Sequence, residues 1–476
     1  MSETLVGILG LLTIVAIVVT LFKSKTQPAF AFIVWPTILA IILVIGGRYN
    51  LGQIAKLIKG GFGSTGPTAA LFVFSVLYFG IMTDAGMFDV IIDKLMKLVG
   101  DSVVGVCMMT AVIALIGHLD GGGASTFCIV IPAMLPVFKR MHMRKTSLLR
   151  IAVLAMGVLN LMPWAGPTMR AATVINMEPG ALWKVLLPIQ IFGIVLALVH
   201  AFLTGLQEKK RGAGLNGKLA QSGELIEASE EQDTTVQAAN SDLARPKLFW
   251  FNIVLTLSVI FLLIWGDSID LPTYFPFMIG CAIALFVNYG LSAKMHKKIV
   301  NLHAGPALMM CSTLMGAAVL MGIMVYGINP EGAAVIAKMK NGVATEMSIP
   351  SVVTCMANLI QMVLPQFLGQ NLPLVIGILS VPLALCFDTD SYFYGMLPVV
   401  IAIGAAFGVE ALPIAVAMVV CRNCATFISP MVPATLLGTG LAEVDIKDHI
   451  KHSFFYVWIF SILCMLFAIL LGIMPL

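Results

Sequence analysis

Two places in this chain break long apolar runs in the same manner. The first is Asp120-Gly121-Gly122-Gly123-Ala124-Ser125-Thr126; the second is Asp388-Thr389-Asp390-Ser391, leading into Tyr392-Phe393-Tyr394. Each is followed by a proline-broken apolar segment, Asn160 to Arg170 and then Cys424 to Thr435. Acids and irregular backbone survive at membrane depth only where protein buries them or where they line a wet cavity. A matched pair, one per half of the chain, points to two repeats closed around a site near the bilayer midplane.

Composition places the chain in a membrane. Of its 476 residues 59% are apolar and 11% charged, and the mean hydropathy is +0.99; soluble domains carry about a quarter charged residues. The net charge of +4 says nothing about nucleic acid, because cations here matter by their side of the membrane. Nine cysteines lie scattered in apolar segments without a disulfide or zinc spacing, and Cys421-x-x-Cys424 sits in an apolar helix with no βαβ context. Glu3 stands where a signal peptide has a basic region, so the segment from Leu5 to Phe22 is expected to be an uncleaved span.

Apolar runs near the required length of about twenty residues fall at 5–22, 28–46, 66–83, 148–175, 183–206, 247–265, 272–290, 303–324, 411–437 and 450–475, which gives ten spans. Two further apolar pairs meet at the Asp-containing tips and are expected to form re-entrant hairpins, 101–138 and 371–405. Between Glu208 and Arg245 seven acids and five bases among small polar residues cannot bury a core. The chain therefore divides into a first repeat (1–206), a flexible linker (207–246) and a second repeat (247–476). With five spans per half the second repeat is inverted relative to the first. The expected fold is an all-α polytopic membrane protein in which each repeat carries a hairpin and a broken helix. Gly-Ile-Met recurs at Gly80 and Gly322, and an amphipathic segment precedes each hairpin (88–99 and 352–364). An insertion in the second half is expected at 326–346.

Charge topology orients this layout. With the N-terminus outside, 20 of the 28 Lys and Arg residues fall on one face and 6 on the other, leaving Arg170 and Arg422 near the breaks. The basic face is the cytoplasmic one. The expectation is an inner (plasma) membrane protein with both termini outside, the linker inside, the first hairpin opening to the cytoplasm and the second outward.

The breaks carry the chemistry. Helices unwound at Pro163, Pro167, Pro430 and Pro433 free carbonyls and amides, and hairpin tips add helix N-termini that favour carboxylate. Substrate-binding candidates are Gly121, Gly122 and Gly123, which permit close approach, with Ser125, Thr126, Asn160, Thr168, Ser391, Asn423, Thr426, Ser429 and Thr435. Small and hydroxyl residues also serve plain helix packing. Asp120, Asp388 and Asp390 are candidates for coupling to a proton or cation, though each can also cap a helix. His118 is placed to share a proton with Asp120. Arg170 and Arg422 offer forks for bidentate carboxylate recognition, or partners for the tip acids.

At these residues the chain resembles the citrate-metal:proton symporter (CitMHS) family of the ion-transporter superfamily. The resemblance runs over nearly the whole length, through Leu77 to Asp89, Leu119-Asp120-Gly121, Asn160 to Ala172, Arg245 to Asn252, Asp390 to Pro398 and Ser429 to Thr435. It implies a homodimeric elevator carrier, proton-coupled, for a carboxylate that is often complexed to a divalent metal such as Mg²⁺ or Ca²⁺. Against the family pattern, Gly122 replaces an acid, Thr389 an Asn, Asn423 and Thr426 a Gln and a His, and Arg422 is an added cation. These departures favour a more anionic, metal-free carboxylate. The leading expectation is a symporter for citrate or a similar di- or tricarboxylate. Its rivals are a gluconate- or lactate-type permease and a Na⁺-coupled carboxylate symporter. No resident cofactor is expected, and the absence of Walker, HExxH and Gly-x-Ser-x-Gly motifs argues against a pump or an enzyme.

Overall fold

The computed structural model describes residues 1–24, 27–97, 100–215, 217, 242–266, 269–336, 339–340, 343–344 and 346–474. Its first half runs α1 (Glu3–Ser24), α2 (Pro28–Ile45), α3 (Leu51–Asp84), α4 (Met87–Met96), α5 (Val103–Gly117), α6 (Gly123–Arg140), α7 (Lys145–Leu159), α8 (Gly166–Val174) and α9 (Pro179–Arg211). The second half runs α10 (Phe249–Gly266), α11 (Tyr274–Tyr289), α12 (Ala293–Val325), α13 (Val352–Gln361), α14 (Gln366–Gln370), α15 (Leu372–Ala384), α16 (Leu397–Ala406), α17 (Ala411–Arg422), α18 (Pro433–Leu441) and α19 (Ile446–Leu470). Among the described residues the fold is helical apart from two short antiparallel strand pairs. Both lie inside the expected insertion: one joins Tyr326–Ile328 to Ala334–Ile336, the other Met339–Lys340 to Val343–Ala344.

Eight helices among the described residues are long and apolar enough to cross a membrane, against ten expected spans. The difference has local causes. The runs at 148–175 and 411–437 each divide into two helices at the proline-rich break, and α11 is only 16 residues long. Conversely Val103–Asp120, expected to be too short an arm, reaches spanning length, although α5 and α6 still pack together as a hairpin. Most of the expected linker, at 216 and 218–241, lies outside the described residues. Its first residues continue α9 through Arg211, which stops at Gly212 with φ of 95°.

Caps and prolines explain these boundaries. Asn50 and Gln53 form a reciprocal capping box at the start of α3, while Ser102 and Ser351 cap α5 and α13. Prolines break helices and also restart them: Pro167 and Pro433 occupy first-turn positions of α8 and α18, where a missing N–H leaves no bond unmade. The long helices α3 and α12 pack closely because Gly61 and Gly322 remove side chains at the contact. A Cβ on Gly322 would stand 2.6 Å from the Leu57 carbonyl oxygen.

The two hairpins open at opposite ends of α19. Lys139, at the end of α6, meets Glu443 just before α19 begins. Gln370 and Phe407, at the open end of the second hairpin, share a cavity with Gly472 and Ile473, just after α19 ends. The 25 residues of α19 separate those ends by about 37 Å at 1.5 Å per residue.

Candidate functional site

At the first tip the chain leaves α5 through one 3-10 turn, His118–Asp120, and reverses at Gly121, whose φ of 72° favours glycine. The Asp120 carboxylate accepts a hydrogen bond from the Gly122 amide at 2.7 Å and another from the Ser125 hydroxyl. Ser125 and Thr126 both also donate to the Gly122 carbonyl, at 2.8 and 2.7 Å. Asp120 therefore organises the first turn of α6. Gly123 lets the tip lie against the second half, since a Cβ there would come within 2.5 Å of the Phe427 ring.

A polar chain links this tip to both breaks. His118 contacts the Thr126 hydroxyl through Nδ1 at 2.6 Å and the Asn160 amide oxygen through Nε2 at 3.3 Å. Asn160 in turn donates to the Asn423 carbonyl at 2.9 Å, and Thr168 donates to the Asn160 carbonyl at 2.9 Å. Every side chain in this chain is buried. The expected His118–Asp120 pair does not form, because both imidazole nitrogens are engaged elsewhere. In a 3-10 turn, positions i and i+2 lie about 240° apart, which turns the two side chains away from each other.

The second tip is built differently. Asp388 accepts from the backbone amides of Asp390 at 3.0 Å and Ser391 at 3.3 Å, capping the π-helical turn Ser391–Met396. Asp390 instead pairs with Arg170, whose Nε donates to Oδ1 at 2.6 Å, with side chains 8% and 13% exposed. This bond joins the first broken helix to the second hairpin. Beside the pair lies a small cavity lined by Phe72, Gly166, Met310 and Thr313. Arg422, fully buried, donates through Nη2 to the Phe387 carbonyl at 2.9 Å and lies 5.1 Å from the centre of the Tyr392 ring.

The remaining candidates hold the second break. Asn423 accepts from the Cys424 amide at 2.5 Å, Thr426 donates to the Arg422 carbonyl at 3.1 Å, and Thr435 donates to the Thr426 carbonyl at 3.3 Å. Ser429 accepts from the Met431 amide at 3.2 Å. Three residues were missed among the candidates from sequence. Trp164 donates to the Leu119 carbonyl at 2.8 Å and so holds the first tip. Tyr392 lies beside Arg422, and Phe427 meets the His118 ring edge-on at 5.3 Å. The aromatic run at the second tip and the Pro-Trp pair in the first break were the available signals.

The family model described as "Citrate transporter" matches residues 1–421. The chain belongs to the citrate transporter family. A "Citrate transporter" of Bacillus subtilis (strain 168) is 30% identical over 98% of this chain and 99% of its own length. A "Mg(2+)/citrate complex secondary transporter" of the same organism is 29% identical over 98% of this chain and 99% of its own length. Membership identifies the chain as a multi-pass transporter rather than an enzyme, with a citrate-type carboxylate as the substrate that its relatives indicate. In this citrate transporter family member, the charged groups of the candidate site gather at the second tip, and the first tip is a neutral hydrogen-bonded network around a single acid.

Proposed function

We propose that this chain is a secondary active symporter that carries citrate or a similar di- or tricarboxylate together with protons. The observation carrying this reading is the Arg170–Asp390 pair, buried where a broken helix of one half meets the hairpin tip of the other. Protonation of Asp390 removes its charge and frees the Arg170 fork for a substrate carboxylate, so proton and substrate bind together. Asp120 is the second acid of the proton path.

Alternation follows an elevator motion of hairpins and broken helices past a scaffold of long helices, in a homodimer whose basic face is cytoplasmic. Hairpins opening at opposite ends of α19 support two inverted repeats with access from either side. The Mg²⁺/citrate relative sets a second form of the cargo, the divalent-metal complex, beside free citrate, and uptake with and without Mg²⁺ separates the two. The test is uptake of labelled citrate by proteoliposomes under an imposed pH gradient, and separately under a Na⁺ gradient. Accumulation driven by the pH gradient supports the reading; uptake that follows Na⁺ alone removes proton coupling.

A further inference from the structure

Arg422 is charged, fully buried and short of partners. Of its nitrogens Nη2 has the Phe387 carbonyl, while Nε and Nη1 have no partner at all. Asp388, next in sequence to that carbonyl, turns its carboxylate to the amides of Asp390 and Ser391 instead. The following residue repeats the pattern, because the Asn423 side-chain amide nitrogen is also buried and unpartnered while its oxygen is taken by Cys424. A guanidinium cannot shed its charge, and a buried donor left unmade is strongly unfavourable. Orphaned donors on two consecutive residues at the end of α17 thus mark the place of an absent acceptor.

We propose that Arg422 and Asn423 form an anion subsite that takes one carboxylate of the substrate directly, without a metal ion, while Arg170 receives another. This rests on the carboxylate-carrier reading and deepens it, since it makes the cargo a polycarboxylate in its metal-free form. Arg170 on Asp390 and Arg422 on the Phe387 carbonyl are both buried at the second tip, and two such cationic forks match two separated carboxylates. A one-to-one complex of Mg²⁺ with the citrate trianion keeps a single net negative charge, which would leave one of the two forks uncompensated.

The test is citrate binding to the purified full-length protein, by calorimetry and thermal shift, in EDTA and again with excess Mg²⁺. Citrate is expected to bind in EDTA, and Arg422→Gln to weaken that binding by about 10- to 100-fold, the usual loss for a buried charge-assisted contact. Arg422→Lys, which keeps the charge and loses the fork, is expected to fall between them. Binding by the unaltered protein only in Mg²⁺ overturns the proposal while leaving the carrier reading intact. Stabilisation by chloride equal to that by citrate also overturns it, since the subsite then serves an inorganic ion. Failure to bind any carboxylate, with or without Mg²⁺, overturns both. If Arg422→Gln does not fold, the metal dependence of the unaltered protein still decides.

Discussion

The two hairpin tips begin alike and then diverge. Asp120 and Asp388 do the same work: each accepts the backbone amide two residues on, at 2.7 and 3.0 Å, and so shapes the start of the second arm. At that next position the first tip has Gly122 and the second has Asp390, which reaches across to Arg170. The first tip leans on Phe427 and a neutral chain through His118, Thr126 and Asn160; the second gathers two arginines and two acids. Repeats thus reuse one turn for shape and differentiate one residue for charge. Shape belongs to both halves, and charge recognition to one.

The largest expected effect tests whether both acids couple. Asp390→Asn keeps an oxygen for Arg170, and Asp120→Asn keeps one for Gly122, so both variants are expected to fold. Each is expected to abolish pH-driven citrate uptake in proteoliposomes. Normal uptake by both removes these acids from the mechanism; loss in Asp390→Asn alone confines coupling to the second tip.

Stability sharpens the same contrast. Asp390→Ala strands a buried arginine that cannot deprotonate, a change of about 3–5 kcal/mol when one partner of a buried pair is removed. Asp120→Ala strands only the Gly122 amide, since Ser125 keeps the Gly122 carbonyl, and is expected to be destabilising by about 1–3 kcal/mol. Denaturant unfolding in detergent compares them. Equal losses would mean that the Arg170 pair is as replaceable as a turn.

Much of this contrast was legible in the sequence. Tip acids, glycine reversal and proline breaks all stand out from an apolar background because each is unfavourable there without a purpose. Pro167 and Pro433 even mark where α8 and α18 restart. Partner choice was not legible. The spacing of His118 and Asp120 invited a pair, but the 3-10 turn separates them, and His118 finds Thr126 and Asn160 through tertiary contact. Nor does sequence distinguish an arginine with an acid, Arg170, from one without, Arg422, since the outcome depends on where Asp388 points. At α11 the expected run at 272–290 is a shorter helix than hydropathy alone suggests, because turns bound it to 16 residues at both ends.

A middle-sized effect concerns the neutral chain. Asn160→Ala removes the acceptor of His118 and the donor to the Asn423 carbonyl in one step, leaving buried groups unpaired on both halves. The expected loss is about 1–3 kcal/mol, with Km for citrate raised because the second break is no longer held in place. Unchanged Km with lowered stability would confine Asn160 to a structural role.

The smallest effect lies away from both tips. Glu443, on the loop between α18 and α19, takes Lys139 at 2.8 Å and Lys145 at 2.5 Å, clamping the open end of the first hairpin to the second half. Those two bonds hold its carboxyl below the usual range. A folded-state value below the unfolded one means that the clamp stabilises fully above the unfolded carboxylate value, about 4.3, and loses its contribution as pH falls through the folded value. The side chains are 31–50% exposed, so solvent screening keeps the pair small, about 0.2–1 kcal/mol. Glu443→Gln should therefore lower Tm slightly at pH 7, lose that difference as pH falls through the lowered folded-state value, and lose it at neutral pH in high salt. A difference that persists in high salt at neutral pH would mean that Glu443 acts through packing rather than charge.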